Sequence, residues 1–105
     1  MPKINIKPLS VNKAWQGRRY KTGDYKSYEQ ELLLRLPPLE IPEGKLCLKI
    51  VASYKNRRND IDNCLKPFLD ILQKRYDFDD ARIYRLEVDK RISKHESIEF
   101  EISKI

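Results

Sequence analysis

Asp60 and Asp62 stand one residue apart, Lys66 follows Asp62 by four positions, and Asp79-Asp80 come later in the chain. In an extended backbone Asp60 and Asp62 point to one side and Ile61 to the other, so two hard oxygen donors can converge on one cation. On a regular helix the same two residues diverge by about 200°. Mg²⁺ takes octahedral oxygen coordination from one or two carboxylates plus water and phosphate oxygens, so two or three aspartates suffice. Such an ion polarises a phosphate, lowers the pKa of a bound water, or, as one of a pair about 4 Å apart, holds attacking and leaving oxygens. Without a cation, clustered carboxylates repel one another, a cost that a purely structural protein has little reason to keep. An isolated Asp-x-Asp is nonetheless a common turn or helix-cap pattern, and that alternative stays open on spacing alone.

The neighbours fit the same chemistry. Lys66 can set its ammonium against a phosphate oxygen or a leaving group, or it can be a solvated lysine. Asn63 can orient a carboxylate or a metal-bound water, or serve in a turn. Arg57 and Arg58 immediately precede the carboxylates, where paired hydrogen bonds to flanking phosphates compete with plain loop solubility as their purpose. A second basic segment, with Asn12, Lys13, Arg18, Arg19 and Lys21, is interleaved with Trp15 and Tyr20, which can stack on unpaired bases.

Elements to position these groups can be read from the hydrophobic pattern. Residues 3 to 8 alternate as a short strand, and residues 9 to 23 have no period and read as an exposed loop. From Asp24, as N-cap, Tyr25, Tyr28, Leu32 and Leu36 recur at helical spacing until Pro37-Pro38 forbids continuation. Leu46 to Tyr54 alternate as a strand. Leu65, Phe68, Leu69, Leu72 and Tyr76, with Ile71 beside them, mark a second helix. Pro67 disfavours helical angles at Lys66, so this helix begins near Lys66 or Pro67, with 60 to 65 partly extended or in a turn. Residues 82 to 92 and Ile98, Phe100 and Ile102 give two last strands, joined by a hairpin turn at Ser93 to Glu96. The order β-α-β-α-β-β predicts an α+β fold, one mixed sheet with two helices packed on it, in one domain over 1–105.

Composition narrows the function. A chain of 105 residues supports one core. Lys and Arg number 22 against 16 Asp and Glu, a net charge of +6 that favours a polyanion such as nucleic acid. A core this small can leave an apolar face for a second subunit to bury. No apolar run reaches the roughly 18 residues of a membrane span and the N-terminus lacks a signal-peptide core, so a soluble, cytoplasmic protein is expected. His95 is the sole histidine, which leaves little for Cys/His zinc sites or His-based triads. Cys47 and Cys64, 17 positions apart, read as reduced structural thiols.

The run Arg57-Arg58-Asn59-Asp60-Ile61-Asp62-Asn63, with Lys66, Asp70 and Asp79-Asp80-Ala81, resembles the R-x-D-[LI]-D-N-x-x-K…D-A-L…D-D core of the RusA-type Holliday junction resolvases. Leu9-Ser10-Val11-Asn12-Lys13 is similar to the short Ser/Asn-bearing loop after strand one in that family. The resemblance implies Asp60, Asp62 and Asp80 as essential acidic residues that hold the metal, Lys66 as a catalytically important lysine, and Asp79 as an accessory neighbour. It further implies a homodimer that binds four-way DNA junctions and makes paired nicks with Mg²⁺ or Mn²⁺. The chain departs from the pattern at Lys74-Arg75-Tyr76-Asp77-Phe78, which lacks the glycine common there. Two other expectations compete: a non-catalytic basic nucleic-acid-binding module with a structural acidic cluster, and a broader nuclease of branched DNA or of RNA.

Overall fold

Leu46, Leu48, Ile50, Ala52 and Tyr54 are all fully buried on one face of the central strand, as their alternation requires. The structure is a computed structural model; it describes residues 1–105 apart from 17–19, and only the backbone of 15, 16, 20 and 21. Its elements are β1 (Lys3–Ile4), α1 (Val11–Ala14), β2 (Trp15–Gln16), β3 (Tyr20–Lys21), α2 (Gly23–Arg35), β4 (Leu46–Tyr54), α3 (Leu65–Tyr76), a 3₁₀ turn (Asp80–Arg82), β5 (Ile83–Ile92) and β6 (Ser97–Lys104). The main sheet is ordered β1-β6-β4-β5, with β4 parallel to β5 and antiparallel to β6. This is the mixed sheet of an α+β fold. No helix among the described residues is long and apolar enough to cross a membrane.

The helices lie on the face that carries Leu48, Ile50, Ile98 and Phe100. Phe68 of α3 meets Phe100 edge-on, with ring centroids 5.6 Å apart, and Tyr76 lies 6.2 Å from the same ring. Tyr25, Tyr28, Leu32 and Leu36 of the α2 stripe are all buried in the same core. The opposite face of the sheet carries charge, with Lys49 and Glu87 paired across β4 and β5 at 3.4 Å.

Three local expectations are corrected. Residues 9 to 23 are more than a loop: α1 is a single turn with Ala14 fully buried, and β2 and β3 form a small antiparallel ribbon. One helical turn and two-residue strands are too short to leave a hydrophobic period. The N-cap of α2 is Thr22 rather than Asp24, because the Thr22 hydroxyl oxygen accepts the Tyr25 N–H (3.2 Å) and donates to the Lys13 carbonyl (2.5 Å). Finally, Ser93 to Glu96 is no hairpin. β5 and β6 flank β4 on opposite sides, and the link crosses the end of β4, where the Ser93 N–H donates to the Tyr54 carbonyl at 2.8 Å.

The helix α3 ends on Asp77, which takes a left-handed conformation with φ of 53°. This is the stretch in which the sequence lacks a glycine. A side chain at that φ is strained where glycine is not. Asp77→Gly should therefore raise stability by about 0.5–1 kcal/mol, read as a higher urea midpoint at unchanged slope; a lower midpoint would contradict this account.

Candidate functional site

The chain leaves β4 at Tyr54 and enters α3 at Leu65, and the ten residues between carry Arg57, Arg58, Asp60, Asp62 and Asn63. They therefore sit beyond the carboxyl end of the parallel β4–β5 pair, where open α/β arrangements place their ligands. The backbone here is folded into turns. The Arg58 N–H donates to Asn56 Oδ1 (3.0 Å), the Asn63 N–H to the Asp60 carbonyl (3.2 Å), and the Leu65 N–H to the Asp62 carbonyl (3.1 Å). Residues 61–64 are in a turn, so strand-like alternation does not set the directions of the Asp60 and Asp62 side chains. Both carboxylates are exposed, and Ile61 between them is 48% exposed.

Helix α3 starts at Leu65, with Lys66 in its first turn and exposed. A cation there runs against the helix dipole, whose positive end faces the Asp60–Asn63 turn. An anionic ligand in front of the helix would meet both that dipole and this ammonium. The first-turn Pro67 has no N–H to leave unpaired.

Two contacts hold this turn in place. The Val11 N–H donates to the Asn63 carbonyl at 2.7 Å, which brings α1, with the exposed Asn12 and Lys13, alongside the carboxylates. Lys90 of β5 reaches the loop from the other side, its ammonium donating to the Asn59 carbonyl (2.7 Å) and the Arg57 carbonyl (3.3 Å). Sequence reasoning missed Lys90, since its alternation within β5 looks like that of any surface lysine. An open cavity of ≈ 350 Å³ adjoins the turn, with Lys7, Lys13, Tyr28 and Asn59 in its wall.

Asp80 is elsewhere. It lies past the C-terminus of α3, where its backbone N–H donates to Gln73 Oε1 (2.9 Å), and just before Ile83, which pairs with Leu46 at the start of β4. The Asp60–Asp62 turn lies beyond the other end of β4, where Tyr54 pairs with Ile92. Twelve residues of helix, about 18 Å at 1.5 Å per residue, separate the two places. Among the described residues no group of three His, Cys, Asp or Glu side chains could hold a metal. Asp60 and Asp62 share one turn segment, and Asp80 lies at the other end of β4. The two adjacent acids also behave differently: Asp79 Oδ1 caps the 3₁₀ turn by accepting the Ala81 N–H (2.9 Å), while the Asp80 side chain is exposed. Of the remaining basic candidates, Arg57 and Arg58 are exposed in the loop, Arg18 and Arg19 lie outside the described residues, and of Lys21 only the backbone is described.

Cys64 sits under this turn as the residue before α3, fully buried, and burial pushes its thiol above the ordinary range. Cys47 is half-buried on the open sheet face, and both thiols are free. Iodoacetamide at pH 8 should therefore label Cys47 in the folded protein and Cys64 only in denaturant, as read by peptide mass mapping. Rapid native labelling of Cys64 would show that the turn opens.

No curated protein matches the chain. The family model described as Endodeoxyribonuclease RusA matches residues 5–103, which takes in both strand ends, the acidic turn and Asp79-Asp80. The chain belongs to the RusA endodeoxyribonuclease family.

Proposed function

We propose that residues 1–105 form one nuclease domain that resolves four-way DNA junctions by paired nicks, in recombination and repair, as a homodimer in the cytoplasm. The family match over nearly the whole chain carries this reading. Exposed carboxylates beside a helix N-terminus and arginines, on a chain of net charge +6, support it.

Asp60, Asp62 and Asp80 are the residues that would hold Mg²⁺, or Mn²⁺ in its place, Asp80 lying at the other end of β4 within one chain and so joining the pair only in the dimer. When bound, the ion supplies Lewis acidity at the scissile phosphate and a more acidic water. The chain's own groups do the rest. Arg57 and Arg58 grip the flanking phosphates and draw the backbone to the turn. Lys66 places its ammonium against the charge that develops on the leaving oxygen. Asn63 orients a carboxylate or a water, and Asp79, through its cap on the 3₁₀ turn, positions Asp80. Asn12 and Lys13 extend the phosphate track beside the turn, with Arg18, Arg19 and Lys21 following in the same segment. A four-way junction has two equivalent strands to cut, so a two-fold dimer with one site per strand fits it.

The test is cleavage of labelled four-way junction, linear duplex, flap, single strand and an RNA duplex, each with Mg²⁺ or EDTA. Symmetric nicks in the junction that require Mg²⁺ are the expected result. Equal cleavage of flaps or RNA would widen the substrate class, and binding without cleavage of any substrate would replace the enzyme with a binding module.

A further inference from the structure

We propose that the protein has a second phosphate-binding surface outside the acidic turn, a basic groove formed by Lys3, Lys7, Lys55 and Lys94, which carries the backbone of the duplex arm that flanks the cut. The choice of DNA as ligand rests on the nuclease reading above; the groove rests on the fold.

The groove forms where three strands of the main sheet end side by side. β4 ends at Tyr54 and is followed by Lys55, and β6 begins at Ser97, opposite Ser53, after Lys94-His95-Glu96. β1 runs antiparallel to β6 and leads, past Ile4 opposite Ile98, into Asn5, Ile6 and Lys7. These segments are distant in sequence and meet only through the strand order β1-β6-β4. Together they line an open cavity of ≈ 550 Å³, whose wall sets the four lysines and His95 against one acid, Glu96. All five basic side chains are exposed. None of the four ammonium groups makes a salt bridge among the described residues, although Glu99 lies opposite Lys3 in the β1–β6 ladder. Like charges gathered in this way repel one another, and a polyanion relieves that repulsion.

The walls are tied by hydrogen bonds, so little backbone order has to be gained on binding. The Ser93 N–H donates to the Tyr54 carbonyl (2.8 Å) and the His95 N–H to Ser93 Oγ (3.3 Å), which sets the link between β5 and β6. On the other wall Arg35 of α2 donates to the Asn5 carbonyl (2.9 Å), and the Ile6 N–H donates to the Ile4 carbonyl (2.9 Å).

Size, chemistry and position select the ligand. Three adjacent strands about 4.8 Å apart make the groove about 10 Å across, the length of about three phosphates of one DNA strand at roughly 3.4 Å each. Single-stranded nucleic acid is gripped by aromatic side chains on which its bases stack, and no Phe, Tyr or Trp among the described residues lines this groove. The backbone of a duplex asks mainly for charge. The groove also adjoins the acidic turn. Ile6 and Lys7 line both it and the cavity of ≈ 350 Å³ whose wall includes Lys13 and Asn59, the neighbour of Asp60. DNA held at Asp60 and Asp62 therefore has a continuous basic path over Lys7 to Lys55, Lys94 and Lys3, on the side of the turn away from β5.

Junction binding in EDTA, where no cutting intervenes, tests this. Lys55→Ala/Lys94→Ala is compared with Lys26→Ala/Lys104→Ala, a pair that removes the same charge from exposed positions outside the groove. The slope of log K against log salt changes by about 0.9 for each phosphate contact, so the groove pair should lose about 2 from it and the control pair much less. At one fixed, moderate salt concentration the groove pair should bind about tenfold more weakly or worse, and the control within about threefold of wild type. Arm length gives a second readout. Cutting the junction arms back to a few base pairs should weaken wild type more than the groove pair, because truncation removes phosphates that the pair no longer holds. Equal urea midpoints show that both pairs are folded. Equal losses in the two pairs, or a groove pair as sensitive to arm length as wild type, overturns the groove. Loss of single-strand binding with duplex binding unchanged overturns the duplex as occupant. Groove effects in a protein that cuts nothing in Mg²⁺ keep the groove and overturn the nuclease, whereas junction cleavage with both pairs binding equally keeps the nuclease and overturns the groove.

Discussion

Asp62→Asn should reduce junction cleavage on the order of 10³-fold or more while leaving junction binding intact, because the change removes a charge and a metal-binding oxygen at nearly constant shape. Asp62 is exposed in a turn held by backbone bonds, the Leu65 N–H to the Asp62 carbonyl among them, so its side chain is free of any packing role that the substitution would disturb. Binding in EDTA should stay level or tighten slightly, since one negative charge leaves a surface that receives phosphates. Single-turnover nicking in Mg²⁺ and gel shift in EDTA separate the two effects. Cleavage within threefold of wild type would show that this carboxylate serves the turn and not the chemistry. An equal loss of binding and cleavage would show that it organises the DNA surface.

Legibility of the fold from sequence followed the length of each element. Long periodic segments were readable: Leu46–Tyr54 is the central strand, and the stripes Tyr25-Tyr28-Leu32-Leu36 and Phe68-Leu72-Tyr76 are the buried faces of the helices. Burial in one core imposes such periods, so they survive in the sequence. Features made by hydrogen bonds over a few residues were not readable. The single turn at Val11–Ala14 and the Thr22 cap depend on where the Ser10 carbonyl and the Lys13 carbonyl come to lie. Strand order was also hidden: β5 and β6 are neighbours in sequence and separated in space by β4, and both orders use the same alternation. The site shows the same division. The acidic turn and Lys66 announce themselves by spacing. The distance between that turn and Asp80 is a property of topology, set by a helix that carries the chain back from the far end of β4 towards the start of β5.

Phe100→Ala should destabilise the fold by about 3–5 kcal/mol, enough to unfold much of the population of a domain this small. Phe100 is fully buried in β6, pairs with Ile50 in the ladder, and receives the rings of Phe68 and Tyr76 from α3. Its removal leaves a cavity between the sheet and the helix that the stiff β4–β6 ladder cannot close. α3 carries Lys66 at one end and leads to Asp80 at the other, so loosening it should misplace both before global unfolding. Cleavage should then fall further than the folded fraction does. Leu34→Ala is the matched control: Leu34 is 87% exposed on α2, and its loss should shift stability by no more than about 0.5 kcal/mol. Urea titrations at one fixed protein concentration compare the two, so that a concentration-dependent term from the proposed dimer would be the same in both. A Phe100→Ala midpoint equal to that of Leu34→Ala would mean that α3 is not held by this ring cluster.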